Sequence, residues 1–403
     1  MRFAVLAWRN LFRNFRRTMA VLLTVGMGAG ALFSFDGFIN GVLGEYRDST
    51  IHAHYGYGQI NTVGYRDTVY EKPTEHWIQN GADVEEYAMT IDGVEKVFPR
   101  VSFSGLLKSK SSTVSGWGQG IDAQRESKFF HSLTIEEGES LTDQPDGIVL
   151  GQGLANALGV KPGDKVTVIA SPSLRGRISH EDFVVTGIFH TGSKEFDSKT
   201  FKIQLNKAQD LVRTSNIETM SLALTESTDW KQVQEKIQTQ FPDLEATSFD
   251  ILDEVYYKHS IDWLSAQFHV VQIIILSIVL LGIFNSISTS ILERKQEIGN
   301  LRANGESIFS VMKLIIAEGS LLAILGSVLG IVTTYLFLML FVNKGLSMPP
   351  GPGMTRQFLV TFHFAWPMVI ATILMSGFAA IVASLLAGVR VASMPIAKAL
   401  RSV

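Results

Sequence analysis

Four uncharged runs break an otherwise mixed sequence: Thr18 to Phe35, Val270 to Leu292, Gly319 to Val342 and Phe364 to Val389. They hold 18, 23, 24 and 26 residues, and the first continues to Gly44 with Asp36 as its one charge. A helix needs roughly 20 apolar residues to cross hydrocarbon. One such run can be a buried core helix, but four are more than a chain of 403 residues hides inside water-soluble domains. The pattern predicts transmembrane helices over 18–44, 266–292, 308–342 and 362–390. Ahead of the second, Ile251, Val255, Tyr256, Trp263 and Phe268 predict a helical stalk continuous with the span.

Between the first two spans the period changes. Short alternating or β-branched runs, such as Lys165 to Ile169 and Phe183 to Phe189, are separated by Gly and Pro and predict strands. Gln152 to Leu158, closed by Gly159, predicts a helix, as does Asp229 to Thr239 with Trp230, Val233 and Ile237 on one face. Strands alternating with helices imply a portion of βαβ character, while Tyr55 to Asp67 and Val97 to Ile121 imply a strand-rich one. Two subdomains are therefore expected within 45–265.

Charge orients the arrangement. The net charge of −3 conceals a segregation: Glu45 to Asp262 holds 33 acidic and 21 basic residues, a balance of −12, and the rest holds 5 acidic and 14 basic, a balance of +9. Except for Lys344 and Arg356, those 14 fall at the N-terminus, around the connector after the second span, or at the C-terminal end. Lys and Arg beside spans are retained in the cytoplasm. Segments 1–17, 293–307 and 391–403 are thus assigned inside, and the acidic domain and the loop 343–361 outside. The fold class that follows is an α-helical membrane protein with four transmembrane helices, one then three, and a large α/β extracytoplasmic domain inserted between the first and second.

Trp8, Leu11, Phe12 and Phe15 recur at helical spacing, with Arg9, Arg13, Arg16 and Arg17 mostly off that stripe. This is the pattern of an interfacial helix lying on anionic membrane lipid. A signal peptide cleaved near Ala29-Gly30-Ala31 is the alternative, but apolar character runs on through Phe33, Phe35 and Phe38 and favours a retained anchor. Gly26 and Gly30, and likewise Gly326 and Gly330, stand four apart and offer faces for close helix packing. Polar residues gather in the inner half of the second span (Asn285, Ser286, Ser288, Thr289, Ser290), and Glu318 is an acid well inside the third. An intramembrane acid is a candidate for function; its structural alternative is pairing with Lys313 or a neighbouring polar group. Phe33, Phe35 and Phe38, faced by apolar residues of the second span, form a candidate acyl-chain groove, with lipid-facing phenylalanine as the equal alternative.

The chemical inventory excludes much. Cysteine is absent, which removes thiol and zinc-cluster chemistry and leaves an outer domain of about 220 residues to its apolar core. No Gly-x-x-x-x-Gly-Lys-Ser/Thr loop occurs, so ATP and Mg are expected only on another chain. His-Glu-x-x-His and Gly-x-Ser-x-Gly are missing too, and no catalytic residue is assigned. His52 and His54 lie two apart on a predicted extended segment, sharing a face with no third ligand nearby, and read as surface residues rather than a metal site. The acidic outer half excludes nucleic acid as a partner.

The connector Glu293-Arg-Lys-Gln-Glu297-Ile-Gly299-Asn-Leu-Arg302-Ala-Asn-Gly305-Glu306 resembles a loop of the FtsX/MacB/Lol superfamily of ABC permeases, the type VII or mechanotransmission transporters. The pattern there is E-R-x-x-E-I-G-x-x-R-A-x-G. The resemblance extends to Ile315-Ile-Ala-Glu318-Gly and to Pro395-Ile-Ala-Lys-Ala-Leu400-Arg, where Met394 replaces the usual acid. It also covers the porter segment from Gly151-Gln-Gly153 to Pro162-Gly-Asp164-Lys-Val. Phe183 to Ser198 is similar to lipoprotein-releasing (Lol-type) permeases, and Ser171 to Arg177 stands in place of a longer hook by which one Lol subunit engages its carrier.

What the resemblance implies is an inner-membrane permease subunit, not itself an enzyme, paired with a like or homologous chain. It implies two copies of a separate ATPase docked on a cytoplasmic coupling segment formed by Glu293, Arg294, Glu297, Gly299, Arg302, Gly305 and Glu306. The implied cargo is a lipoprotein or other amphiphile passed to a periplasmic acceptor, adaptor or lipoprotein carrier. A MacB-like exporter of drugs, peptides or toxins and an FtsX-like regulator of a cell-wall hydrolase are the alternatives.

Overall fold

The computed structural model describes residues 15–69, 71–141, 145–170, 178–225, 228–254, 259–342, 344–350 and 355–392. Most of the expected interfacial stripe (Trp8, Arg9, Leu11, Phe12, Arg13), the tail motif and Ser171 to Arg177 lie outside the described residues. Phe15 and Arg16 are exposed at the start of the first helix, and the side chain of Arg17 is outside the description. The chain forms two compact units, one made of Met1–Glu45, Ser260–Ser347 and Leu359–Val403, the other of Tyr46–His259 and Met348–Phe358.

Helix Phe15–Thr50 (span one), His259–Glu293 (span two), Ile308–Phe341 (span three) and Trp366–Ala392 (span four) each contain a stretch long and apolar enough to cross a membrane. They answer the one-plus-three pattern of runs. Span one passes its expected end at Gly44 without a break, and no proline interrupts it before Thr50. Span two takes in Trp263 and Phe268 of the expected stalk and Ile251 sits in a turn of helix, Phe249–Leu252, while Val255 and Tyr256 lie outside the described residues. Val21, Val25, Val279, Ile283, Ile315 and Leu322 pack with Ala379, Ala380, Ala383 and Ala387 in one core. The alanines let span four approach closely, which in lipid replaces the hydrophobic effect as the source of helix association.

The small-residue faces expected on spans one and three turn out to meet each other. A Cβ added to Gly330 would strike the carbonyl oxygen of Gly26 and lie 2.7 Å from its Cα, and one on Gly26 would lie 3.2 Å from the Gly326 oxygen. Backbone touches backbone there, and only glycine permits it.

The other unit is built on ten strands: β1 Gly58–Thr62, β2 Val94–Lys108, β3 Thr113–Ile121, β4 Thr134–Gly138, β5 Gly147–Gly151, β6 Lys165–Ala170, β7 Ser179–His190, β8 Thr200–Gln204, β9 Thr219–Leu224 and β10 Leu244–Ser248. Their order is β10-β1-β9-β2-β3-β8-β5-β7-β4, and β6 pairs with both β2 and β7. Strands β2, β3, β8, β5, β7 and β6 therefore close into a ring, with β9, β1 and β10 as a flank. Pairs β3/β8 and β5/β7 are parallel. Ring and flank share the 15-residue β2, which pairs with β9 over its first half and with β3 and β6 over its second. They share one core as well: Ile60 of β1, with Val84 of helix Gly81–Met89 and Ile237 of helix Trp230–Gln240, joins Val166, Val185 and Ile203 from the ring. Helix Gln152–Leu158 ends at Gly159 and helix Trp230–Gln240 is capped by Asp229, both where the sequence places them.

The expected extended segment at His52 and His54 is instead a wide helical turn, Ile51–Tyr55, closed five residues on by Gly56 N–H donating to the Ile51 carbonyl at 3.0 Å. The helix arriving from span one prolongs itself through these residues, and the two imidazoles diverge. His52 lies against His131, with ring centroids 4.6 Å apart, while His54 lies against Phe196 at 4.4 Å.

Candidate functional site

The charged connector folds as a short helix, Lys295–Ala303, joined to span two through Arg294. Its far end follows from three hydrogen bonds. Glu306 N–H donates to the Leu301 carbonyl at 3.1 Å, Gly305 N–H to that of Arg302 at 3.2 Å, and Asn304 N–H to that of Asn300 at 2.9 Å. This reciprocal closure requires a left-handed residue just past the helix, and Gly305 at φ +91° supplies it. Span three then starts at once, with the Ser307 hydroxyl accepting from Ser310 N–H. Two helices and a turn of four residues make a compact projection.

Arg294 fixes the root of that projection. Its Nε donates to Glu297 at 2.9 Å and its Nη1 to Glu318 of span three at 2.8 Å, so one guanidinium ties span two, the short helix and span three. Glu318 thus has a structural partner, Arg294 rather than Lys313, which is exposed. The side chains of Arg294 and Glu318 are only 16% and 13% exposed, so the pair is largely withdrawn from solvent. Glu293, Glu297, Gly305 and Glu306 lie at the surface, Arg302 is half-buried and Gly299 is buried. Sequence reasoning missed Phe309, whose side chain is 79% exposed in the first turn of span three beside exposed Ile308. Within span two, Asn285 is exposed, Ser286 and Ser290 are buried, and Thr289 donates back to the Asn285 carbonyl at 2.9 Å.

The three phenylalanines near the outer end of span one part company. Phe33 is fully buried among Ile331, Met368 and the rings of Phe362 and Phe364. Phe35 and Phe38 are half-buried and stack on each other, and Phe35 stacks on Phe268 of span two with centroids 5.5 Å apart.

The outer domain holds its own buried charge. Arg100 of β2, 1% exposed, makes a two-pronged pair with Glu126, Nε–Oε1 2.6 Å and Nη2–Oε2 2.9 Å, and its Nη1 donates to the His54 carbonyl at 2.5 Å. The helix arriving from span one therefore ends on a guanidinium, the charge its C-terminal dipole favours. Lys202 lies 4.0 Å from Glu126, and burial pulls its ammonium down to about 8, against the pull of that carboxylate. Next to Arg100, whose carbonyl accepts from Glu218 N–H, burial pushes the Glu218 carboxyl up to about 7, although it accepts from Ser102 N–H at 2.7 Å. Nothing in the sequence pattern marks these residues as core.

Comparison with known proteins decides the assignment. The family model for the MacB-like periplasmic core domain matches residues 18–240, and that for the FtsX-like permease C-terminal region matches 270–396. The chain belongs to the MacB/FtsX family of permeases. The lipoprotein-releasing system transmembrane protein LolC of Neisseria meningitidis is 25% identical over 337 residues, 80% of this chain and 77% of that protein. The ABC transporter permease YtrF of Bacillus subtilis is 29% identical over 164 residues, 36% of this chain and 38% of that one. Among solved structures, the periplasmic region of MacB from Actinobacillus actinomycetemcomitans is similar with a TM-score of 0.36 and 15% identity, covering 49% of this chain and 92% of that one. As a MacB/FtsX-family permease, the chain is the multi-pass membrane component of an ABC transporter, with its large periplasmic domain between span one and the remaining three.

Proposed function

We propose that this permease extracts lipoproteins, or an amphiphile anchored in the same way, from the inner membrane and passes them to a periplasmic acceptor. The energy comes from ATP, with Mg, hydrolysed on two copies of a separate ATPase subunit, and a second permease chain completes the membrane part. The observation that carries this reading is the likeness to LolC, which runs through most of both chains, 80% of this one and 77% of the relative. The half-buried stack of Phe35, Phe38 and Phe268 offers apolar surface suited to acyl chains. The projection carrying Glu293, Arg294, Glu297, Gly299, Arg302, Gly305 and Glu306 is the ATPase dock, and exposed Phe309 gives it an apolar contact.

Proteoliposomes holding the permease, its partner chain and its ATPase, loaded with a triacylated lipoprotein, test this directly. ATP is expected to release the lipoprotein to a soluble acceptor, and replacing Glu297 and Arg302 together is expected to abolish release while membrane insertion persists. Release that proceeds without ATP, or survives the double replacement, refutes the reading. The match to the MacB-like core domain over 18–240 keeps a drug or peptide exporter as the second reading. ATP-driven movement of an amphiphilic drug with no lipoprotein release would favour it.

A further inference from the structure

Two routes from the membrane helices reach the outer domain at the same short segment. After β7 the chain turns through Thr191, Gly192 (φ +84°) and Ser193 into helix Lys194–Lys199. Asp197, 3% exposed, holds that turn. Its Oδ1 accepts from Thr191 N–H at 2.9 Å and from the Thr191 hydroxyl at 2.8 Å, and its own N–H donates to the Ser193 carbonyl at 2.9 Å.

On one side, the Gly192 carbonyl so presented accepts from Thr355 N–H at 3.0 Å and from the Thr355 hydroxyl at 3.4 Å. Arg356, next in sequence, pairs with Glu136 of β4, the strand beside β7. Both residues belong to the loop that joins spans three and four. On the other side, Phe196 of the same helix lies against His54, at the end of the helix that begins in span one, and the His54 carbonyl is held by Arg100. The residue before Asp197 thus meets one membrane connection, and the turn that Asp197 holds meets the other.

We infer that the segment Thr191 to Lys199 is the junction at which displacements of span one and of the span three–four loop are delivered together to the sheet, with Asp197 as its positioning residue. This rests on the proposed function only in taking the membrane helices to move during the ATP cycle. The bonds to Thr191 need an acceptor oxygen at Oδ1, not a negative charge, and burial already pushes the Asp197 carboxyl upwards. Asparagine is therefore a conservative replacement and alanine is not.

The chain has no cysteine, so a pair of spin labels can be placed cleanly at K236C and K344C, both exposed lysines outside the junction. In the full complex with its ATPase, the interlabel distance is expected to shift between nucleotide-free and vanadate-trapped states. Asp197→Asn should keep the shift. Asp197→Ala should lose it, and so should Thr355→Pro, which removes one N–H from an exposed loop and tests the junction without disturbing the domain interior. A shift that persists in both of the latter, or is lost in Asp197→Asn, overturns the junction. No shift in the unaltered complex would instead remove the premise that the membrane helices move during the ATP cycle, and the junction with it.

Discussion

Lys202 and Glu318 are ionisable side chains placed where water is scarce, and each has a measurable signature. For Lys202 the folded chain holds the ammonium at about 8 against an ordinary 10.5, so between those values the unfolded chain binds more protons. Stability then rises with pH from about 8 to about 10.5, and the full penalty of burying the charge is present below 8. Lys202→Met should raise the Tm of the detergent-solubilised protein at pH 7, and the gap to wild type should narrow as pH climbs through that window; a constant gap would show that Lys202 is not buried as a cation. Glu318→Ala deprives Arg294 of one of its two carboxylates and is expected to cost about 2 kcal/mol, as for hydrogen bonds to charged groups. The same loss in an Arg294→Met background should be much smaller, and equal losses would mean the two do not act as a pair. Glu318 is conspicuous in sequence as an acid within an apolar run, but its partner is not, because Arg294 lies 24 positions away and no local spacing links them.

At the scale of elements, the contact between spans one and three is the most exposed to a single change. Gly330→Leu places a branched side chain where the Gly26 backbone already sits, and is expected to destabilise the membrane unit by about 3 kcal/mol. Gly377→Ala in span four, where an added Cβ meets nothing within 4 Å, should be neutral or slightly stabilising. Thermal unfolding in detergent distinguishes them, and similar behaviour of the two variants would place the helix crossing elsewhere. Both glycine pairs are visible in sequence because a spacing of four marks one helix face, yet their meeting each other is a fact of tertiary packing. Helix Gln152–Leu158 and the strands around it are legible for a simpler reason, since their periodicity and the bounding Gly159 act locally. The turn at Ile51–Tyr55 is not legible, because alternation over five residues is weak evidence against the momentum of a helix already running for 36.

For the molecule as a whole, alternating stretches of charge imply that Arg302 faces the cytoplasm and the acidic domain the periplasm. In intact cells an impermeant maleimide should label K236C and leave R302C unlabelled until the membrane is opened; labelling of R302C from outside would invert the topology. Membrane arrangement was readable because hydrocarbon imposes one length and one charge rule on every span. The outer domain was readable only in class, since β2 pairs with β3, β6 and β9, two of them far away in the chain, and no periodicity announces such partners. That long strand has a mechanical meaning. Ring and flank are stitched by a continuous backbone and a common interior, which leaves no seam along which one could swing against the other. A displacement delivered at any point of this domain is then carried by all of it as one stiff body.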